Sequence, residues 1–152
     1  MRFHLVDRIL DVEPGKRIRI VKSLALGEEY LADHFPAFPV MPGVLMLQTL
    51  VEAGSWLVRV TEDFKHSVIV LREAKNVKYG NFMAPGRSMV VTVEPIEYSE
   101  TAPEIVFKGK AESEGTSPVS ARFTLKRSNL RDRNPALEGL DRKIVEQLRS
   151  EY

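Results

Sequence analysis

The residues best suited to chemistry lie between positions 33 and 60. His34 sits in a loop containing Pro36, Pro39 and Pro42. Each proline ring fixes φ and pushes the residue before it towards extended backbone, so the loop is stiff. Gly43 follows Pro42 at the head of a nearly all-apolar run. Pro42 suits the first position of a helix there, whose free N–H groups point outward, and Gly43 lets another group approach the backbone. A carbonyl oxygen or an oxyanion fits such a place. Further along, Gln48, Glu52, Ser55 and Arg59 form a polar stripe at helical spacing. Gln48 and Glu52 share a face, roughly 6 Å apart along the axis. An imidazole near its ordinary pKa of ~6.5 is a suitable base at neutral pH, a carboxylic acid can donate a proton, and an amide can only orient one. The bland alternatives are a loop histidine satisfying a backbone carbonyl, and a stripe that is a structural ion pair or hydrogen bond across an interface.

These groups need elements to position them. The run from Gly43 to about Val60 predicts a helix apolar on almost every side, which must be enclosed. Gln48, Glu52 and Arg59 interrupt a run already short of the ~20 residues a bilayer needs, so no membrane span is expected. Residues 5–12 and 16–26 read as strands joined by a turn at Glu13-Pro14-Gly15-Lys16, with Ile18, Ile20, Leu24 and Leu26 on one face and Lys22 breaking the pattern. Glu28 to Ala32 suits a short helical turn. Residues 67–79, 88–98, 104–112 and 118–126 follow as successive strands, separated by breakers at hairpin distances, which predicts antiparallel pairing. The fold class is therefore α+β, with a sheet wrapped around one long helix. After Arg127 the core pattern stops. Asn134-Pro135 predicts a helix start, and Leu137, Leu140, Ile144 and Leu148 give the closing helix one apolar side. Residues 1–127 then make the domain and 128–152 a basic connector with an amphipathic tail.

Charge and composition exclude several classes. Twenty-two Lys and Arg against 21 Asp and Glu give a net charge of +1, which offers nothing to nucleic acid or a membrane surface. With no cysteine there is no disulfide, thiolate nucleophile or thiolate metal site. His4 and His66 lack partners at metal spacing, so no metal is expected. No phosphate loop or dinucleotide fingerprint occurs, so no cofactor is expected. Residues 1–10 lack the uninterrupted apolar core of a signal peptide, and a cytoplasmic location is the default expectation.

His34-Phe35-Pro36 followed by Pro39-Val40-Met41-Pro42-Gly43-Val44-Leu45 resembles the signature of the β-hydroxyacyl-(acyl-carrier-protein) dehydratases of fatty acid synthesis, which have the hotdog fold. Leu5-Val6-Asp7-Arg8, Glu13-Pro14-Gly15-Lys16 and Met83-Ala84-Pro85-Gly86 extend the likeness, which covers roughly residues 3–127. The resemblance implies dimers joined edge to edge, active sites at the dimer interface and often a trimer of dimers, with acyl carrier protein delivering the substrate. It implies that His34 takes a proton from C2 of a β-hydroxyacyl thioester and that helix-start N–H groups near Gly43 polarise the carbonyl, where aimed donors stabilise the developing enolate. Phe35, Val40, Pro42, Tyr79 and Phe82 would bind the acyl thioester. Lys75, Lys78, Arg87 and the connector arginines Arg127, Arg131 and Arg133 either receive an acidic carrier or form a solvated face.

The sequence departs from the family at the acid. Gln48 stands where relatives carry the carboxylate, and Glu52 stands one turn on, where many have glutamine. Three readings follow. Glu52 serves as the acid through a shifted substrate or a bridging water; or His34 works largely alone while Gln48 orients the hydroxyl; or dehydration is lost and the chain binds acyl thioesters or serves an assembly.

Overall fold

The computed structural model describes residues 5–32 and 37–152. Six strands, β1 (Arg8–Glu13), β2 (Arg17–Ser23), β3 (Val68–Tyr79), β4 (Ser88–Pro95), β5 (Glu104–Glu112) and β6 (Val119–Ser128), form one antiparallel sheet in the order β1-β2-β4-β5-β6-β3. The long helix α1 (Gly43–Thr61) lies against its inner face, and α2 (Glu138–Glu151) closes the chain. A 3-10 turn at Glu29–Ala32 precedes α1, and two more, Leu130–Asp132 and Pro135–Leu137, precede α2.

Strict alternation decides which side of the central strands is buried. In β5, Ile105, Phe107, Gly109 and Ala111 point inward and every intervening residue is exposed. In β6, Val119, Ala121, Phe123 and Leu125 point inward, between half-buried or exposed neighbours. Phe107 and Phe123 stack at 5.5 Å between centroids, and α1 meets the sheet with Leu50, Ala53 and Leu57 buried and Gly54 against Phe123. The approach is close because glycines face each other's neighbours. A Cβ on Gly54 would stand 3.0 Å from Phe123, and one on Gly109 would stand 3.3 Å from Leu50.

The structure differs from the sequence reading at several places. β3 does not pair with β4, its successor in sequence, but with β6, so it forms one edge of the sheet. Its apolar residues run consecutively from Val68 to Leu71 rather than alternating, and Val70 (48%) and Leu71 (39%) remain exposed on that edge. Lys22 is not an interruption on a solvent face: it is buried with Ile18 and Ile20, its Nζ 2.6 Å from Glu28 Oε1 and 3.7 Å from Asp7 Oδ1. A buried cation survives only with such partners. Leu26 is exposed because β2 ends at Ser23 and the chain then turns. The helix is not enclosed on all sides either, for Val44 is 69% exposed.

Arg127 belongs to the core rather than to a basic connector. β6 runs on to Ser128, and Arg127 is buried with its Nε 2.9 Å from Glu62 Oε1 and its Nη2 donating to the Ser99 carbonyl at 2.5 Å. Glu62 also accepts from the Tyr98 hydroxyl at 2.5 Å. Burial and that carboxylate push the Tyr98 phenol above its ordinary value. His66 lies 3.3 Å from Glu62, but burial pulls its pKa down and the carboxylate only partly offsets this.

The tail begins as expected, with Asn134 Oδ1 accepting from Ala136 N at 3.1 Å and Pro135 first in the turn, but that turn is 3-10 and α2 starts only at Glu138. Leu140 is 46% exposed; the buried residue of α2 is Asp141. Its carboxylate accepts from Ser67 Oγ at 2.5 Å, Leu130 N at 2.8 Å and Arg131 N at 3.0 Å. Leu137, Ile144 and Leu148 are half-buried, so the expected apolar side does meet the domain, turned far enough to expose Leu140 and let one carboxylate satisfy three donors. Among the described residues no helix is long and apolar enough to cross a membrane.

Two outcomes follow from this packing. Gly54→Ala forces a methyl against Phe123 and Leu125, and overpacking of this kind costs about 1–3 kcal/mol; a urea titration should show a lower midpoint with an unchanged slope. Burial acts to raise the Asp141 carboxyl, but hydrogen bonds from Ser67, Arg131 and Leu130 hold it below the usual carboxylate value. A depressed folded value means that its stabilisation is complete above the unfolded value of ~3.9 and is lost as the pH falls through the lower, folded one. The midpoint difference between wild type and Asp141→Asn should therefore be largest near neutrality and shrink in acid.

Candidate active site

The start of α1 is built by proline and glycine. Pro42 is the N-cap (φ −55°, ψ 135°) and Gly43 the first helical residue, so the proline sits one position earlier than its sequence suggested. Its carbonyl accepts from Leu45 N at 3.0 Å and Met46 N at 3.2 Å, and it has no side-chain oxygen to cap the helix. Met41 N donates to the Met83 carbonyl at 2.8 Å, and Gly86 N to the Leu24 carbonyl at 2.8 Å, so the Met83–Gly86 segment clamps the approach to the helix. The group that exploits the missing side chain of Gly43 is Tyr79, whose Cε1 would stand 3.1 Å from a Cβ there. Phe82 packs edge-on against Phe38 at 5.9 Å. Val40, Gly43, Tyr79 and Phe82 thereby line one pocket of about 330 Å3, together with Met41 and Met46.

His34 and Phe35, like His4, lie outside the described residues. The turn leading to His34 is firmly held. Tyr30 and Leu31 are buried, Lys22 grips Glu28, and burial plus a hydrogen bond to Glu28 push the Tyr30 phenol above its ordinary value.

Gln48 and Glu52 line a different cavity, of about 750 Å3. By helix geometry they stand roughly 7 and 13 Å beyond Gly43 along the axis and about 140–180° around it. Ser55, Trp56 and Arg59 continue the same wall, Ile69 to Leu71 of the β3 edge form another, and Leu148 and Glu151 of α2 a third. Ser55 spends its hydroxyl on the Val51 carbonyl at 2.9 Å. The Arg59 guanidinium lies over Trp56 at 5.2 Å, and its buried Nε has no hydrogen-bond partner among the described residues. Burial pulls the Arg59 pKa down, while the charges of Glu52 and Glu151 oppose that shift. Glu52 and Arg59 thus line one cavity, in which their charges act on each other. Leu5, Val6, Trp56 and Glu151 were not marked as site residues by their sequence context; only Leu148 carried a signal, as part of the tail's apolar side.

The expected cationic surface divides. Lys75 pairs with Glu73 at 3.1 Å and Arg87 with Glu114 at 3.3 Å. Lys75, Arg122 and Lys108 stand opposite one another in register across β3, β6 and β5. Arg127 is withdrawn into the core. Among the described residues no cluster of histidine and acidic side chains could hold a metal ion.

A family model described as a FabA-like domain matches residues 1–122. The chain belongs to the FabA-like family. Among curated relatives it is 35% identical over 89 residues to the 3-hydroxyacyl-(acyl-carrier-protein) dehydratase FabZ of Wolbachia pipientis wMel, covering 59% of this chain and 62% of that protein. Against the protein of the same name from Clostridium acetobutylicum it is 32% identical over 120 residues, covering 79% and 84%. The chain thus spans under two thirds of the length of the Wolbachia relative. Among solved structures, the dehydratase heterocomplex ApeI:P from Xenorhabdus doucetiae superposes with a TM-score of 0.71 at 12% identity, covering 89% and 90% of the two chains. Smu.793 of Streptococcus mutans, solved bound to acetyl CoA, gives 0.58 at 12% identity, covering 79% and 86%. At such identities the likeness is one of fold, and it makes the sheet-wrapped helix a hotdog domain.

The facing charges give a direct test. In a double-mutant cycle of Glu52→Gln and Arg59→Met, read by chemical denaturation, the two effects should be non-additive by ~0.5 kcal/mol or more, as for residues coupled through a shared cavity.

Proposed function

We propose that this chain dehydrates β-hydroxyacyl thioesters carried on acyl carrier protein to trans-2-enoyl thioesters, in fatty acid or lipid biosynthesis. The observation that carries the reading is the presence of Glu52 beside Gln48 in one cavity, so that the carboxylate has moved by a helical turn and not been lost. His34 takes the proton from C2, and the electron pair of that C–H bond becomes the C2–C3 double bond. The C3–O bond breaks towards oxygen, which receives a proton from Glu52 and leaves as water, while Gln48 orients the hydroxyl. A proton passing through solvent from the imidazolium to the carboxylate resets the pair. N–H groups at the start of α1 receive the thioester oxygen, where preorganised donors stabilise the enolate-like transition state.

The pocket by Gly43 and the cavity by Glu52 lie on opposite sides of α1, which supports a site completed between two copies. Pairing of the exposed β3 edges would bring one chain's histidine loop to the other's Glu52 and cover Val70 and Leu71. A trimer of such dimers is the larger assembly in this reading. Exposed Lys78 and the loop around Phe82, beside the pocket, are where the acidic carrier would dock.

A second reading has one observation in its favour. Arg59 shares the cavity with Glu52, and a nearby cation favours the ionised carboxylate, which is a poor proton donor; the chain would then bind acyl thioesters without turning them over. Hydration of crotonyl and longer enoyl thioesters, followed by the loss of ultraviolet absorbance, separates the two. Dehydratase activity requires a rate in wild type that falls at least about 100-fold in both His34→Ala and Glu52→Gln, the usual scale for removing a general acid or base. Full activity in Glu52→Gln would remove Glu52 from the mechanism, and no rate in wild type on carrier-bound thioesters would favour the binding module.

A further inference from the structure

We infer that α2 forms the far wall of the acyl cavity and restricts the site to short acyl chains. The inference rests on the dehydratase reading for what enters the cavity, while the wall itself is geometry. The family match ends at residue 122, so α2 is an addition to the matched domain.

The helix is fixed at both ends. Near its start, buried Asp141 accepts the three hydrogen bonds described above. At its end, Arg149 Nη1 pairs with Asp63 Oδ1 at 2.9 Å, Nη2 donates to the Asp63 carbonyl at 2.7 Å, and the guanidinium lies 4.9 Å over Phe64. Tyr152 stacks on Trp56 at 6.2 Å and meets Phe64 edge-on at 6.0 Å. These contacts hold Leu148 and Glu151 in the cavity wall, one turn from the aromatic pair.

The chemistry of that end is wrong for a long hydrocarbon. Arg59 lies roughly 10 Å beyond Glu52 along α1. There the partly desolvated Arg59 guanidinium feels the charges of Glu151 and, from further back, Glu52. A saturated chain pushed that far would strip the remaining water from these groups and return no hydrogen bond, which is costly for ionised side chains. A short chain stops before them. Leu148 supplies the steric stop and Glu151 the polar one.

The test uses the full-length chain and its single tryptophan, Trp56, which lines the cavity. Saturated butyryl, octanoyl and dodecanoyl pantetheine thioesters carry no hydroxyl to lose, so their binding is read by Trp56 fluorescence without turnover. The combined Leu148→Ala and Glu151→Ala variant should shift the ratio of dodecanoyl to butyryl affinity at least about tenfold towards the long chain, which corresponds to ~1.4 kcal/mol. Leu148→Phe should move the ratio the other way, and Lys143→Ala, on the exposed side of α2, should leave it unchanged. An unmoved ratio in both Leu148 variants overturns the proposal, as does a wild type whose fluorescence responds to no thioester. If the ratio moves while crotonyl hydration is absent, the dehydratase reading fails and the wall stands. If hydration is present and the ratio is fixed, only the wall falls.

Discussion

The rest of this molecule depends on the close contact between α1 and the stacked rings of Phe107 and Phe123. Two missing side chains make it possible, at Gly54 on the helix and Gly109 on the sheet. Close packing admits few alternatives once such a contact is made, because a shift of one methylene is already felt. Rotation of α1 about its axis is therefore set: Leu50, Ala53 and Leu57 face the sheet, and the stripe of Gln48, Glu52 and Arg59 must turn away from it. The position of the chemistry is a consequence of where glycine permits the helix to lie.

Buried charges then tie the irregular segments to this frame. Lys22 holds the turn before His34 through Glu28, Arg127 holds the 95–104 connection and the end of α1 through Ser99 and Glu62, and Asp141 holds the tail through Ser67 and two backbone donors. Each lies where the chain leaves regular structure and cannot satisfy its polar groups by a ladder or helix. The net worth of such pairs is small, because desolvation offsets the attraction. Removing one partner is another matter, since the other charge is then left buried, and that asymmetry makes them effective at specifying one path for a loop.

Much of this was legible from residue order alone. Period-two alternation located β4, β5 and β6 and their buried faces, and the apolar run after Pro42-Gly43 located α1 within a residue at its start. What failed has a common cause, namely that periodicity reports which side of an element is buried but not which element covers it. The run 68–71 looks like a core strand, yet β3 pairs only with β6 and leaves Val70 and Leu71 on an open edge. Lys22 and Arg127 look like surface cations because their partners are distant in sequence or on another element. Leu140 looks like part of a docking face, but the three donors that converge on Asp141 fix the rotation of α2. The signature around His34 gave the candidate chemistry, and the exchange of Gln48 and Glu52 was visible in the sequence. That this stripe lines a cavity walled by the β3 edge and α2 was not, because it requires knowing which elements cover the helix.

That rotation also constrains how any active site can be assembled. The N–H groups able to receive an oxyanion lie at one end of α1, and the carboxylate lies more than two turns away on the opposite side. A single rigid helix cannot bring both to one small thioester. Movement of the helix does not solve the problem, since α1 is packed against Phe123 and Met41 is tied to Met83. The proposed reaction therefore calls for a second helix in the opposite orientation, so that each start faces the other's carboxylate. An antiparallel sheet ending in a long unpaired strand with apolar side chains is a natural template for that symmetry, because pairing two copies of one edge about a two-fold axis reverses the helices along with the strands.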